Sequence, residues 1–164
     1  MYDDLTGGSR LVEDEFDPTL EDRSYATYHF GDCQYRIHFH ISAAGHAEKA
    51  CRCMPYYSFC GIILVYDLSS SYTWSEAVRL QKLISGCRSL DQGKTESHPE
   101  MKVMLLGLKA DISGGRYVPY AEREAFAREN GSLFAECSAR TGEGVHDAMG
   151  LFVEFAHSIT SRHA

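Results

Sequence analysis

The order of segments predicts an α/β domain, a mainly parallel sheet with helices on both faces. Two observations carry this. The runs Cys60–Leu68 (CGIILVYDL) and Met101–Leu108 (MKVMLLGL) are continuously apolar, as strands buried on both faces are. Segments with apolar residues at helical spacing follow each of them, so strands and helices alternate. A chain of 164 residues can bury a real core as one domain, and residues 1–164 are taken as a single unit.

Residues 1–14 hold Gly7 and Gly8 and few apolar side chains, and form neither a good helix nor a strand. Ser24–Phe30 is aromatic and partly alternating. Gly31-Asp32 is a turn, and Gln34–Ile41 a second strand, so the two read as a hairpin. Residues 42–57 are a loop and an irregular helix interrupted at Pro55. After the Cys60–Leu68 strand, Thr73–Gly86 is helical, with Trp74, Ala77, Leu80 and Ile84 at turn spacing. Residues 87–100 read as a polar loop. Val118–Asn130 is a helix with Pro119 in its first turn and Gly131 after its end. Ser132–Cys137 is a short strand. The last helix begins near Val145, its apolar face running through Ala148, Met149, Phe152 and Phe155 or Ala156.

Composition narrows the function. With 44% hydrophobic and 24% charged residues the chain has globular character. A net charge of −7 argues against a nucleic-acid-binding surface. No apolar run approaches the length of about 18 residues that a membrane span needs. The opening MYDDLTGGSR lacks the basic and apolar regions of a signal peptide, so the cytosol is the expected compartment. There the six cysteines are expected as reduced thiols. His38 and His40 share one face of a strand and could ligate a metal together with Cys51 and Cys53. Zinc sites favour CxxC or HxxxH spacing, and neither occurs here, so a metal-binding protein is the weakest reading.

Four segments in order carry a resemblance. EFDPTLED (Glu15–Asp22) resembles the effector loop of Ras-like small GTPases, usually close to EYDPTIED. Ala43–Gly45 stands where that family has the end of DTAG. LLGLKAD (Leu105–Asp111) resembles the guanine-specificity strand, and ECSARTGEGV (Glu136–Val145) resembles the ETSAK segment with the helix after it. Together they cover nearly the whole chain. The resemblance implies a P-loop NTPase-type G domain that switches between GDP-bound and GTP-bound states and hydrolyses GTP. By resemblance Thr19 is the threonine that closes on Mg²⁺, and Asp17, Pro18, Thr19, Glu21 and Asp22 form the surface that effectors or regulators read. Gly45 would belong to the nucleotide site. Asp111 would accept hydrogen bonds from two guanine N–H groups. Lys109 would lay its stem along the base, the Ala139 N–H would meet the guanine oxygen, and Ser138 would shape that turn.

The sequence departs from the family at several of these positions. Leu108 replaces the base-site asparagine and offers the base no polar atom. Ser42 replaces the aspartate that holds Mg²⁺ through water, and His46 stands at the catalytic glutamine. The phosphate-binding motif GxxxxGK followed by Ser or Thr occurs nowhere in the chain. In register, that loop is expected upstream of Met1, together with a central first strand between the hairpin and the Cys60–Leu68 strand. Without that strand, either those two neighbours pair directly or the chain is an incomplete copy. No lipid anchor is readable in the terminal TSRHA. Two functions therefore stand side by side: a GTP/GDP-binding signalling switch with impaired hydrolysis, and a pseudo-GTPase acting as a nucleotide-independent protein-binding module.

Overall fold

The structure, a computed structural model, describes residues 22–41, 61–91, 102–115 and 117–160. β1 (Asp22–Phe30) and β2 (Cys33–Ile41) pair antiparallel, with Asp22 opposite Ile41 and Phe30 opposite Cys33. Gly31 turns the chain at φ +57, a conformation that a residue with a Cβ adopts at a cost. The hairpin alternates as half-buried strands do. Ala26, Tyr28 and Phe30, with Tyr35, Ile37 and Phe39, form the covered face, whereas Tyr25, His38 and His40 point to solvent.

β3 (Gly61–Asp67), β4 (Lys102–Leu108) and β5 (Leu133–Glu136) form a second, parallel sheet in the order β3-β4-β5. Each parallel step is made through a helix: α1 (Ser71–Asp91) between β3 and β4, and α2 (Tyr120–Glu129) between β4 and β5. α1 and α2 cover one face. There Leu64, Tyr66 and Leu68 of the β3 segment pack with Ala77, Leu80 and Ile84 of α1, with Val103 and Leu105 of β4, and with Ala127 of α2. Trp74 joins this core through its ring contacts, 5.0 Å from Tyr66 and 5.5 Å from Phe126 between centroids. α3 (Val145–Thr160) lies on the other face, where Ala148, Phe152 and Val153 are buried. Gly61 lets Phe152 reach β3, since a Cβ there would stand 2.5 Å from the ring.

Several boundaries differ from the sequence reading. β1 starts at Asp22 rather than Ser24, so Asp22, the last residue of the expected effector loop, has strand backbone. α1 runs through Gly86 to Asp91, where the sequence suggested a stop and a polar loop. Gly86 is exposed with open space around it, and its low helix propensity is outweighed by the turns packed before it. α2 begins at Tyr120, with Pro119 as its cap at ψ 144 rather than inside the first turn. β2 and β3 lie in separate sheets, so the direct pairing considered above does not occur among the described residues. Val65 of β3 is 54% exposed, unlike the other core-strand residues around it.

Candidate functional site

The carboxyl ends of β3, β4 and β5 lie side by side, which is where open parallel sheets place ligands. β3 ends in Asp67, β4 leads into Lys109–Asp111, and β5 leads into Ser138–Gly144. The backbone ties the three ends together. The Leu68 N–H donates to the Leu108 carbonyl at 3.1 Å, the Ala110 N–H to Cys137 at 3.1 Å, and the Cys137 N–H to Gly107 at 2.8 Å.

Asp111 is held by the next strand. The Ser138 hydroxyl donates to its Oδ1 at 2.6 Å, and Ser138 is fully buried. That hydrogen bond, first among several causes, lowers the Asp111 pKa and keeps it an acceptor. Arg140 stands 3.8 Å from Oδ2, with its own side chain 87% exposed, a pair of little energetic weight. The turn beyond is closed by the Ser138 N–H donating to Glu143 O, the Gly142 N–H to Ser138 O, both at 2.9 Å, and the Thr141 N–H to Ser138 Oγ at 3.2 Å. Ala139 lies at its exposed tip. Gly144, at φ +72, fits against Glu136 O, from which a Cβ would be 2.6 Å away.

Lys109 takes a left-handed conformation, φ 65, and its Nζ meets Asp67 Oδ2 at 2.6 Å rather than turning to Asp111. The Ser69 N–H and hydroxyl donate to Asp67 Oδ1 at 2.7 and 2.6 Å. Hydrogen bonding from Lys109, then from Ser69, brings the Asp67 pKa down from 3.8 to about 2. The sequence reading missed Asp67. The Val-Tyr-Asp end of the apolar strand was its only signal.

Beneath this edge lies a buried charge that sequence reasoning also missed. Arg123 of α2 is 1% exposed; it donates to Glu136 Oε1 at 2.5 Å and to the Val118 carbonyl. The Tyr66 hydroxyl is buried near this guanidinium without a hydrogen-bond partner, and burial pushes its pKa up. Asp17, Pro18, Thr19, Glu21, Ser42, Gly45, His46, Cys51 and Cys53 lie outside the described residues. Asp22 is described only as strand backbone. His38 and His40 sit on the exposed face of β2, and no cluster of three or more metal-ligating side chains occurs among the described residues. Cys33 and Cys137 are free thiols, and burial pushes the Cys137 pKa up.

Three carboxyl-end loops, with a fixed carboxylate and a tight turn beside it, stand where open α/β sheets place their ligands. A family model for the Ras family matches residues 10–160, and the chain belongs to that family. Ras-related protein Rab-4 of Dictyostelium discoideum is 32% identical over 102 residues, covering 62% of this chain and 44% of that relative. The match thus spans less than half the length of this curated relative. Among the described residues no helix is long and apolar enough to cross a membrane.

Proposed function

We propose that this chain is a GTP/GDP-binding switch of the Ras type, and that the described residues form its guanine-reading half. The observation that carries the reading is Asp111, an ionised carboxylate fixed by the buried Ser138 at 2.6 Å. A guanine placed against the Ser138–Gly144 turn would give Asp111 its N1–H and 2-amino group, and the Ala139 N–H would meet its oxygen. The Lys109 stem would cover one face of the base, its charge neutralised by Asp67.

By family resemblance Asp17, Pro18, Thr19, Glu21 and Asp22 present the partner surface. Gly45 borders the phosphates, and His46 takes the position that orients water for hydrolysis. Thr19 and Ser42 offer Mg²⁺ hydroxyls and no carboxylate, a poor donor set for this ion. No step is assigned to it, and hydrolysis is correspondingly impaired.

Titration of the full chain with GDP and with inosine diphosphate tests base reading. Losing the 2-amino contact removes one charge-assisted hydrogen bond to Asp111, so the inosine nucleotide binds more weakly, by roughly fivefold or more. Equal affinity for the two overturns the reading. A second reading, a nucleotide-independent protein-binding module, draws on Leu108, which gives the base no polar contact. It predicts no binding of either nucleotide.

A further inference from the structure

The β1–β2 hairpin is held to the rest of the molecule through α3, and the contacts are placed at both ends of one helix face. His146, Gly150, Val153 and His157 recur at the spacing of a single stripe. At one end the Tyr28 hydroxyl stands 3.3 Å from His146 Nε2 and 3.5 Å from the His146 carbonyl, with the rings stacked at 5.3 Å. Both contacts are satisfied together when the ring N–H donates to the hydroxyl and the hydroxyl donates to the carbonyl. Gly150 makes room, since a Cβ there would be 3.1 Å from that oxygen. At the other end the Tyr35 hydroxyl meets His157 Nδ1, and the Phe30 ring lies 5.2 Å from the same imidazole.

The two ends have different neighbours in the chain. His157 belongs to the last turns of α3. His146 is the second residue of α3 and sits two positions after Gly144, whose carbonyl accepts from Ala148 at 3.0 Å. Glycine at 144 and the closed turn from Ser138 make the loop and the first turn of α3 one hydrogen-bonded body. Tyr28 is 8% exposed and opposite Tyr35 in the hairpin register, so it moves with both strands.

We propose that Tyr28 is a positioning residue that couples the Ser138–Gly144 turn to the β1–β2 hairpin. Asp111, Ser138, Gly144, His146 and Tyr28 then form a contiguous path, loosened or tightened from either end. Its functional meaning, a base-side signal reaching the hairpin, rests on the nucleotide-switch reading. The coupling itself does not.

Amide hydrogen exchange on the full chain, without nucleotide, separates the two. Tyr28→Phe keeps the ring and removes one hydroxyl. Exchange in 138–144 is expected to accelerate about three- to tenfold, together with that of residues 27–35. Tyr35→Phe is expected to loosen the hairpin from its other end and to accelerate 138–144 less than Tyr28→Phe does. Ser138→Ala should accelerate exchange around Tyr28, and the double variant Ser138→Ala/Tyr28→Phe should show less than the product of the two effects. If Tyr28→Phe unfolds the chain, the Ser138→Ala arm still decides. The proposal is overturned if 138–144 exchange is unchanged in Tyr28→Phe, if Tyr35→Phe accelerates it equally, or if Ser138→Ala leaves the hairpin untouched. None of these outcomes depends on whether GDP binds.

Discussion

Arg123 shows how a single side chain can constrain both fold and site. Its guanidinium is buried against Glu136, one residue before the Cys137-Ser138 entry to the turn. Replacing it with methionine keeps much of the bulk and takes the guanidinium away from the largely buried Glu136 carboxylate. Breaking such a pair costs about 3–5 kcal/mol, so urea unfolding of Arg123→Met is expected near that loss. Adding Glu136→Gln is expected to recover a good part of it. Asp67 makes the complementary case for charge at the rim. Its folded pKa is about 2, below the 3.8 of the unfolded group. The stability it contributes is therefore present above pH 4 and lost as pH falls through about 2. In Asp67→Asn, acid unfolding between those limits should become less steep; an unchanged acid limb would show that the Lys109–Asp67 contact carries no stability. Resemblance to family motifs singled out Lys109, Asp111 and Ser138 in the sequence; the structure joins Ser138 to Asp111 and turns Lys109 to Asp67 instead. Asp67 had no partner at a fixed interval. Arg123, within a run of charged helix residues, reads as a solvated side chain until β5 is placed beside it.

Among the elements, β3 depends on a residue with no side chain. Gly61 lies against the Phe152 ring and the Lys102 carbonyl, 2.5 and 2.7 Å from where a Cβ would be. Gly61→Ala must move either α3 or the β3–β4 ladder. Overpacking of this kind costs about 1–3 kcal/mol, and a fall in the urea midpoint with an unchanged slope would record it. A neutral substitution would mean that α3 sits less tightly on the sheet than described. Apolar periodicity identified α1 and α3, and the continuous apolar runs identified β3 and β4, since burial of one or both faces writes those patterns directly. Helix ends were less legible. Gly86 looked like a stop but lies on the exposed side of α1, and Pro119 caps α2 from outside. The docking of the hairpin on α3 was not legible at all, because Tyr28 and His146 are 118 positions apart.

At the scale of the molecule, two sheets share one helix. The parallel sheet carries the candidate base site at its carboxyl edge, and the hairpin carries Asp22 at its start. α3 touches both, so the arrangement places the carboxyl edge of the parallel sheet and the hairpin on a common support. Family membership rests on a match over residues 10–160, and the three-stranded parallel sheet with its helices is consistent with it. The central claim is that the Asp111 edge reads guanine.

The most direct measurement is thermal unfolding of the full chain with GDP, with ADP and without nucleotide, repeated for Asp111→Ala. A ligand at 100 times its dissociation constant adds about 2.7 kcal/mol to stability. For a domain of this size that is a shift of roughly 5–10 °C. The account predicts such a rise with GDP, none with ADP, and its loss in Asp111→Ala. An unfolding midpoint that millimolar GDP leaves unmoved, or that ADP raises equally, would contradict it.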